Sequence, residues 1–367
     1  MRVVYLADAP YIHTRRWVQH FAGLGWDAHV VSFRPAEVPG AQVHYVGGFE
    51  RLGRARYLLH ARRVRRLVRS LEPDLLHALH LTSYGFLAAL SNVRPTLTSV
   101  WGTDVLEAPG WSPLHQFFTR YALARADHVT ATGLRLANAT LRYVPRAKPV
   151  TVVPYGVDLA RFQPDARNGA RPEEVVIGSV ARLSPEKGLD VLLRAAAELI
   201  REGLPLRVVL AGDGPLRSQL ERQAEQLDIV GKVSFRGEVA HDEVPSVLRE
   251  LDVFVLPSRA EGFGVAALEA QAMELPVVAS NVHGIPDVVA HGRSGVLVPP
   301  GDARALAEAI GRLGRDAGLR AAMGRAGRIF VAERYRWEEN AARMERLYHY
   351  LLESFTQGAG RDTVPES

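Results

Sequence analysis

The stretch 252–273 most constrains how this chain can fold. Asp252-Val253-Phe254-Val255-Leu256 is apolar after its first residue and too short for a stable helix, which predicts a strand buried on both faces. Pro257 and the glycines Gly262 and Gly264 break that strand into a loop, and from Val265 the apolar spacing becomes helical. A buried strand, a glycine loop and a helix start in that order predict one unit of a parallel sheet with helices on its faces. The first backbone N–H groups of such a helix lack intrahelical partners and point at one spot, which suits an anion such as phosphate. Glu261 falls in the loop and Glu269 just over one turn into the helix, so both can border that spot. A carboxylate repels phosphate but accepts hydrogen bonds from hydroxyl groups. Phosphate-binding amides beside two hydroxyl-binding carboxylates describe a nucleotide-sugar site.

Glu261 and Glu269, separated by seven residues and embedded in Glu-Gly-Phe-Gly and Leu-Glu-Ala, resemble the E-x7-E signature of retaining glycosyltransferases of family four. The resemblance implies that Glu261 orients hydroxyls of the donor sugar and that Glu269 holds the ribose. Gly262, Phe263 and Gly264 then form the loop around the donor.

Further motifs follow the same pattern. The strand 175–180 runs into Ala181-Arg182-Leu183-Ser184-Pro185-Glu186-Lys187-Gly188, a second anion-binding rim with a forked guanidinium and a compact ammonium. The resemblance assigns Arg182 and Lys187 to the donor diphosphate. The strand 206–211 leads to Gly212-Asp213-Gly214-Pro215, similar to the family's G-x-G-P turn, where glycine allows close backbone approach to the nucleotide. The stretch 233–239, with Arg236 and Val239, is expected to border the base.

The first half alternates strand, loop and helix from residue 3 onward, which begins another open parallel sheet whose ligands sit at the carboxyl ends of the strands. Gly23-Leu24-Gly25-Trp26-Asp27-Ala28 fits the dinucleotide string, but it closes a helix and precedes a strand, so it reads as a helix stop. Trp101-Gly102-Thr103-Asp104 stands where family members carry His-Gly-x-Asp, so the usual histidine is replaced by Trp101. Asp104 remains a candidate to touch donor or acceptor. His13 and His80 fall at strand ends, where each either lines the acceptor side or is a packing residue. His77 and His80 lack further ligands at metal-binding spacing. The strand 150–153 and Pro154-Tyr155-Gly156-Val157-Asp158 resemble the family's P-N-G-V-D, with Tyr155 in place of asparagine.

A chain of 367 residues exceeds one ordinary core. The expected organisation is α/β: two Rossmann-like domains with parallel sheets facing across a cleft, the glycosyltransferase B fold. Residues 1–165 would receive the acceptor and 166–335 the nucleotide-sugar. The last helix, 336–356, would return to the first domain, and 357–367 would form a disordered tail. The polar stretch 165–174 serves as linker. No apolar run approaches the ~18 residues that cross a bilayer, and without cysteine there is neither disulfide nor thiol nucleophile. A cytoplasmic enzyme is expected.

No Asp-x-Asp occurs, which removes the usual carboxylate anchor for a divalent ion. The expectation is therefore no metal and no cofactor beyond the donor substrate, a UDP- or GDP-sugar. The implied reaction is sugar transfer with retention to a glycan or lipid-linked acceptor in cell-envelope polysaccharide or glycolipid synthesis, with no role for nucleic acid. A non-hydrolysing nucleotide-sugar epimerase and a catalytically silent sugar-binding partner share the architecture. A glycogen-type phosphorylase would need a cofactor lysine near the carboxyl end, and the last lysine here is Lys232.

The stretch 51–71, from Arg51 to Leu71, predicts an amphipathic helix with Tyr57, Ala61, Val64, Val68 and Leu71 on one stripe. Arg54, Arg62, Arg65, Arg66 and Arg69 lie mainly off it, and no acidic residue interrupts the run. Either this is a core-packed helix with a solvated basic face or that face meets an anionic membrane; the one-signed charge favours the membrane, placing the enzyme peripherally on the inner face.

Overall fold

The computed structural model describes residues 1–47, 55–145, 148–164 and 174–357, with the side chains of residues 55 and 56 outside the description. Most of the expected linker 165–174, the tail from 358 and the first four residues of the basic stretch 51–71 lie outside the described residues.

Contacts divide the chain into two compact units: Met1–Tyr155 with the residues from Glu339 onward, and Gly156–Glu338. The change of unit falls after Tyr155, before the 165–174 stretch. The reason is local pairing: the Val157 amide donates to the Tyr335 carbonyl and the Trp337 amide to that of Val157, while Phe162 is buried and its carbonyl accepts from Arg328.

The first unit is a seven-stranded sheet of β1 (Arg2–Leu6), β2 (Asp27–Ser32), β3 (Ala41–Tyr45), β4 (Leu75–Leu79), β5 (Thr96–Val100), β6 (His128–Ala131) and β7 (Val150–Val152). Its order is β3-β2-β1-β4-β5-β6-β7 and every pairing is parallel. β1, β4 and β5 are buried along nearly their whole length, as continuous apolar runs require in a sheet covered on both faces. β3 carried no expectation from sequence because it is a half-exposed edge strand with a polar composition, and β6 because it is only His-Val-Thr-Ala. The helix Ile12–Gly23 ends where the glycine string was read as a stop, with Gly25 in the left-handed region at φ 81°.

The helix Trp337–Thr356 buries Tyr348 in this unit, stacked 4.3 Å from Phe21 and hydrogen-bonded to His77, which also meets Ser99 Oγ at 2.7 Å. Burial lowers His77 from the ordinary 6.5 to about 3, so it is a neutral core residue. The helix Ala55–Ser70 buries Val64 and Val68 and packs Tyr57 and Ala61 against the core, leaving Arg62, Arg63, Arg65, Arg66 and Arg69 exposed.

The second unit is a six-stranded sheet of β8 (Val175–Val180), β9 (Leu206–Ala211), β10 (Val233–Gly237), β11 (Val253–Leu256), β12 (Val277–Ser280) and β13 (Gly295–Val298). It is again wholly parallel, in the order β10-β9-β8-β11-β12-β13. In both units the chain winds outward in opposite directions from a central pair, β1/β4 and β8/β11. A doubly wound sheet opens its ligand crevice at the carboxyl ends of such a pair.

Candidate donor site and a ring cluster

The central pair of the second unit ends in the two loops singled out from sequence. β8 runs into 181–188, and β11 into 257–264. Arg259 ties them together. Its guanidinium donates to both carboxylate oxygens of Asp190 at 2.7 Å and to the Pro185 carbonyl at 2.9 Å, while its amide donates to the Glu186 carbonyl. Burial pushes the Asp190 carboxyl up, but the Arg259 fork and Arg194 outweigh it, so it sits below the ordinary range. Glycine is required at the crossing point. Gly188 has φ 63°, and a Cβ there would lie 2.1 Å from the Pro257 carbonyl oxygen.

Across this joint Lys187 Nζ donates to Glu261 Oε2 at 2.6 Å, both side chains being mostly buried. Arg182 is exposed on the same loop. Burial raises Glu186, but the Ser184 hydroxyl, a backbone amide and the charges of Lys187 and Arg182 more than offset it, so its carboxyl is lowered. Gly264, at φ 97°, opens the helix Val265–Ala272, which has no side-chain cap, so its first amides face the loop region. Gly212 is strained toward glycine at φ 133°, with a hypothetical Cβ 2.0 Å from the Ala181 carbonyl oxygen. Asp213 accepts from the Gly214 amide at 2.7 Å, and its carbonyl accepts from that of Leu183, joining the β9 loop to the β8 loop.

Three site residues have other surroundings than their motif position implies. Phe263 is buried and turns its ring toward Tyr335 at 5.9 Å, so only its backbone lines the loop. Arg236 is paired with Glu250, away from the β10 loop in which Val239 is half-buried. Glu269, 6 % exposed, receives a hydrogen bond from His241 Nε2 at 3.0 Å. Sequence reading did not single out His241; its position two residues past Val239, in the segment that follows β10, was the available signal. Glu261 and Glu269 thus share the region but answer to different partners, Lys187 and His241.

In the first unit Asp104 is 1 % exposed and does not reach outward. Its carboxylate accepts from the backbone amides of Leu81, Trp101 and Gly102 at 2.7–3.2 Å, which makes it a positioning residue for the loop after β5. His80 follows β4 with φ 93°, unusual for a residue with a side chain, and its Nδ1 lies 3.4 Å from Thr82 and Ser83 hydroxyls. His13 and Trp101 do come together. His13 stacks on Tyr155 at 3.9 Å, Trp101 lies 5.7 Å from Tyr155, and Tyr11 lies 5.4 Å from Trp101.

The family described as "Glycosyl transferases group 1" matches residues 161–330, and "Glycosyl transferase 4-like" matches residues 2–133. A GDP-mannose-dependent alpha-(1-6)-phosphatidylinositol monomannoside mannosyltransferase from Mycolicibacterium smegmatis is 35% identical over 289 residues, 73% of each chain. The chain belongs to the group 1 glycosyltransferases. Another member similar to this glycosyltransferase is a D-inositol 3-phosphate glycosyltransferase from Corynebacterium urealyticum, 38% identical over 240 residues, 61% of this chain and 56% of that one. In fold the glycosyltransferase is similar to sucrose-phosphate synthase from Thermosynechococcus elongatus, with TM-score 0.84, 22% identity and coverage of 96% and 100%. It is likewise similar to Anabaena HepE solved with UDP and glucose, with TM-score 0.80, 21% identity and coverage of 95% and 99%. The fold is therefore glycosyltransferase B. Among the described residues no helix is long and apolar enough to cross a membrane.

Proposed function

We propose that this glycosyltransferase moves a hexose, with retention of anomeric configuration, from a nucleotide-diphosphate-sugar to a lipid-linked or glycan acceptor in cell-envelope synthesis. Among UDP- and GDP-sugars, GDP-mannose is the first donor to test, because the Mycolicibacterium relative is named for it. The carrying observation is the joint of the β8 and β11 loops, where Lys187 and Glu261 meet at 2.6 Å beside the uncapped helix start at Gly264.

Lys187 has three N–H donors and gives one to Glu261, which leaves two for diphosphate oxygens. Arg182 and the helix dipole add positive potential where the leaving group gains charge. Glu261 orients sugar hydroxyls, and Glu269, held by His241, accepts from the ribose diol. The acceptor oxygen attacks C1 on the face the diphosphate leaves, and a phosphate oxygen takes its proton as the C1–O bond to phosphate breaks. This scheme requires no metal. The exposed arginines of the helix Ala55–Ser70, together with exposed Leu58 and Leu59, suit an anionic membrane surface on the cytoplasmic side.

A donor screen recording released nucleotide with and without phosphatidylinositol-type, inositol phosphate and glycan acceptors tests the reading. Acceptor-dependent release from one donor, an axial product linkage from an axial donor, and full activity in excess chelator are expected. Inverted product overturns retention, and activity lost on chelation and restored by Mg²⁺ or Mn²⁺ overturns metal independence.

A further inference from the structure

The two positions at which the sequence departs most clearly from the family pattern are Trp101, in place of histidine, and Tyr155, in place of asparagine. They are 54 residues apart in number (155 minus 101), yet their rings lie 5.7 Å apart, and both belong to one aromatic group with His13 and Tyr11. Three chain segments contribute to it: the loop and helix start after β1, the loop after β5 and the segment after β7.

Each contributing segment is anchored. Asp8, in the β1 loop, accepts from Tyr84 Oη at 2.7 Å, and its carbonyl accepts from the Tyr11 amide. The Trp101 backbone is held by buried Asp104. Tyr155 is buried and its ring lies 18° from parallel to His13. Tyr11 is 45 % exposed, and Trp101 and His13 are half-buried. The result is a preorganised aromatic surface open on the Tyr11 side, close to the carboxyl ends of β1 and β4 where a doubly wound sheet receives its ligand. Rigid rings lose little freedom when a ligand settles on them.

We propose that Tyr11 and Trp101, backed by the stacked pair His13–Tyr155, form a shelf for a six-membered polyhydroxylated ring, a cyclitol or pyranose, as the acceptor. This assignment rests on the glycosyltransferase reading above and names the acceptor class within it. A chair-shaped polyol presents a face of axial C–H groups, which packs on an aromatic face, and a rim of hydroxyls, which reaches polar groups. An open-chain polyol has the same hydroxyls but no such face. The Tyr155 hydroxyl stays protonated because burial, with Tyr11 and Asp104 nearby, raises it well above the ordinary range, so no phenolate charge disturbs the shelf.

The test is saturation-transfer NMR on the full chain without donor, using myo-inositol, methyl α-D-mannopyranoside and the acyclic control sorbitol. Transfer to ring C–H protons of the cyclic ligands is expected, with little to sorbitol. Tyr11→Ala should weaken cyclic-ligand binding about fivefold, and Tyr11→Phe, which keeps the ring, should stay within about twofold. Tyr11 is exposed, and circular dichroism with thermal unfolding of the same variants checks that they fold. Equal transfer to cyclic and acyclic polyols, no detectable ring binding by the parent, or unchanged affinity in Tyr11→Ala overturns the shelf. Donor turnover measured alongside separates the two ideas. A parent that releases nucleotide but ignores these rings loses only the shelf, whereas one that binds rings but neither binds nor turns over any nucleotide-sugar loses the transferase reading.

Discussion

At the end of β1 the chain enters Asp8 and reaches the ring of Tyr11, whereas at the end of β8, its counterpart in the second unit, it enters Arg182 and Lys187. The next pair of equivalent strands diverges in the same way. β4 is followed by His80, and β11 by a loop carrying Arg259 and Glu261. Both units wind outward from such a pair, so topology assigns a ligand crevice to the same place in each. Chemistry then separates them. In the second unit the loops are laced by the ion pairs Arg259–Asp190 and Lys187–Glu261 and by the hydrogen bond between His241 and Glu269, a polar frame suited to a diphosphate and hydroxyls. In the first, the rings of Tyr11, His13, Trp101 and Tyr155 gather. A shared fold sets where binding happens, and the loop side chains set what is bound.

The largest expected difference between the units is in acid. His77 and His128 are buried in the first unit. Burial lowers them from 6.5 to about 3 and about 4, with the Lys148 charge adding to the effect at His128. The unfolded chain takes up protons near 6.5 that these sites refuse, so their contribution is complete above that pH and is lost as pH falls toward 4. Between pH 7 and pH 5 the loss is about 2 kcal/mol for each, about 4 kcal/mol for both. Hydrogen exchange, corrected for intrinsic rate, should show protection falling in β4 and β6 while β8 and β11 keep theirs. Parallel loss in both sheets would remove the distinction.

Next comes the charged frame. Lys187→Ala should lower kcat by about 10²–10³, or ~2.7–4 kcal/mol, as expected for removing a donor aimed at developing charge. Steady-state kinetics with the preferred donor decide this, and a change confined to the acceptor KM would place Lys187 elsewhere.

A smaller effect separates the two carboxylates. Glu269→Ala should weaken nucleotide alone by ~1.5–3 kcal/mol, while Glu261→Ala should spare nucleotide and reduce nucleotide-sugar turnover. His241→Ala, removing the group that holds Glu269, should shift nucleotide affinity in the same direction by about tenfold or less, with His241→Gln intermediate. Calorimetry with GDP and UDP reads all of these. Glu269 and Glu261 variants that bind and turn over like the parent would dismantle the donor site as drawn.

The effect smallest per residue concerns the basic helix. With Arg62, Arg65, Arg66 and Arg69 changed to Gln, cosedimentation with anionic liposomes should fall toward that with neutral ones, since each basic residue contributes about 1 kcal/mol at most near such a surface. Arg69 is the weakest of the four because its guanidinium already donates to the Ser91 carbonyl. Equal binding to both liposome types would leave this face as ordinary solvated surface.

Local sequence determined that apolar runs such as 253–256 become buried parallel strands and that glycines at 188, 212 and 264 mark the loops beyond them. Strand, turn and helix start are neighbours in the chain, so their periodicity and their need for positive φ are visible in a few residues. Side-chain direction and partnership were decided elsewhere. Glu269 meets His241 from 28 residues away, Arg259 meets Asp190 from 69, and His77 meets Tyr348 from 271. Asp104 sits in a loop motif that resembles a ligand-facing one, yet it turns inward because the amides of Leu81, Trp101 and Gly102 converge on it only once β4 and β5 lie side by side. The gathering of Tyr11, His13, Trp101 and Tyr155 has the same origin. The four rings come from three separate segments, and only the closing of the sheet from β1 through β7 brings those segments within stacking range.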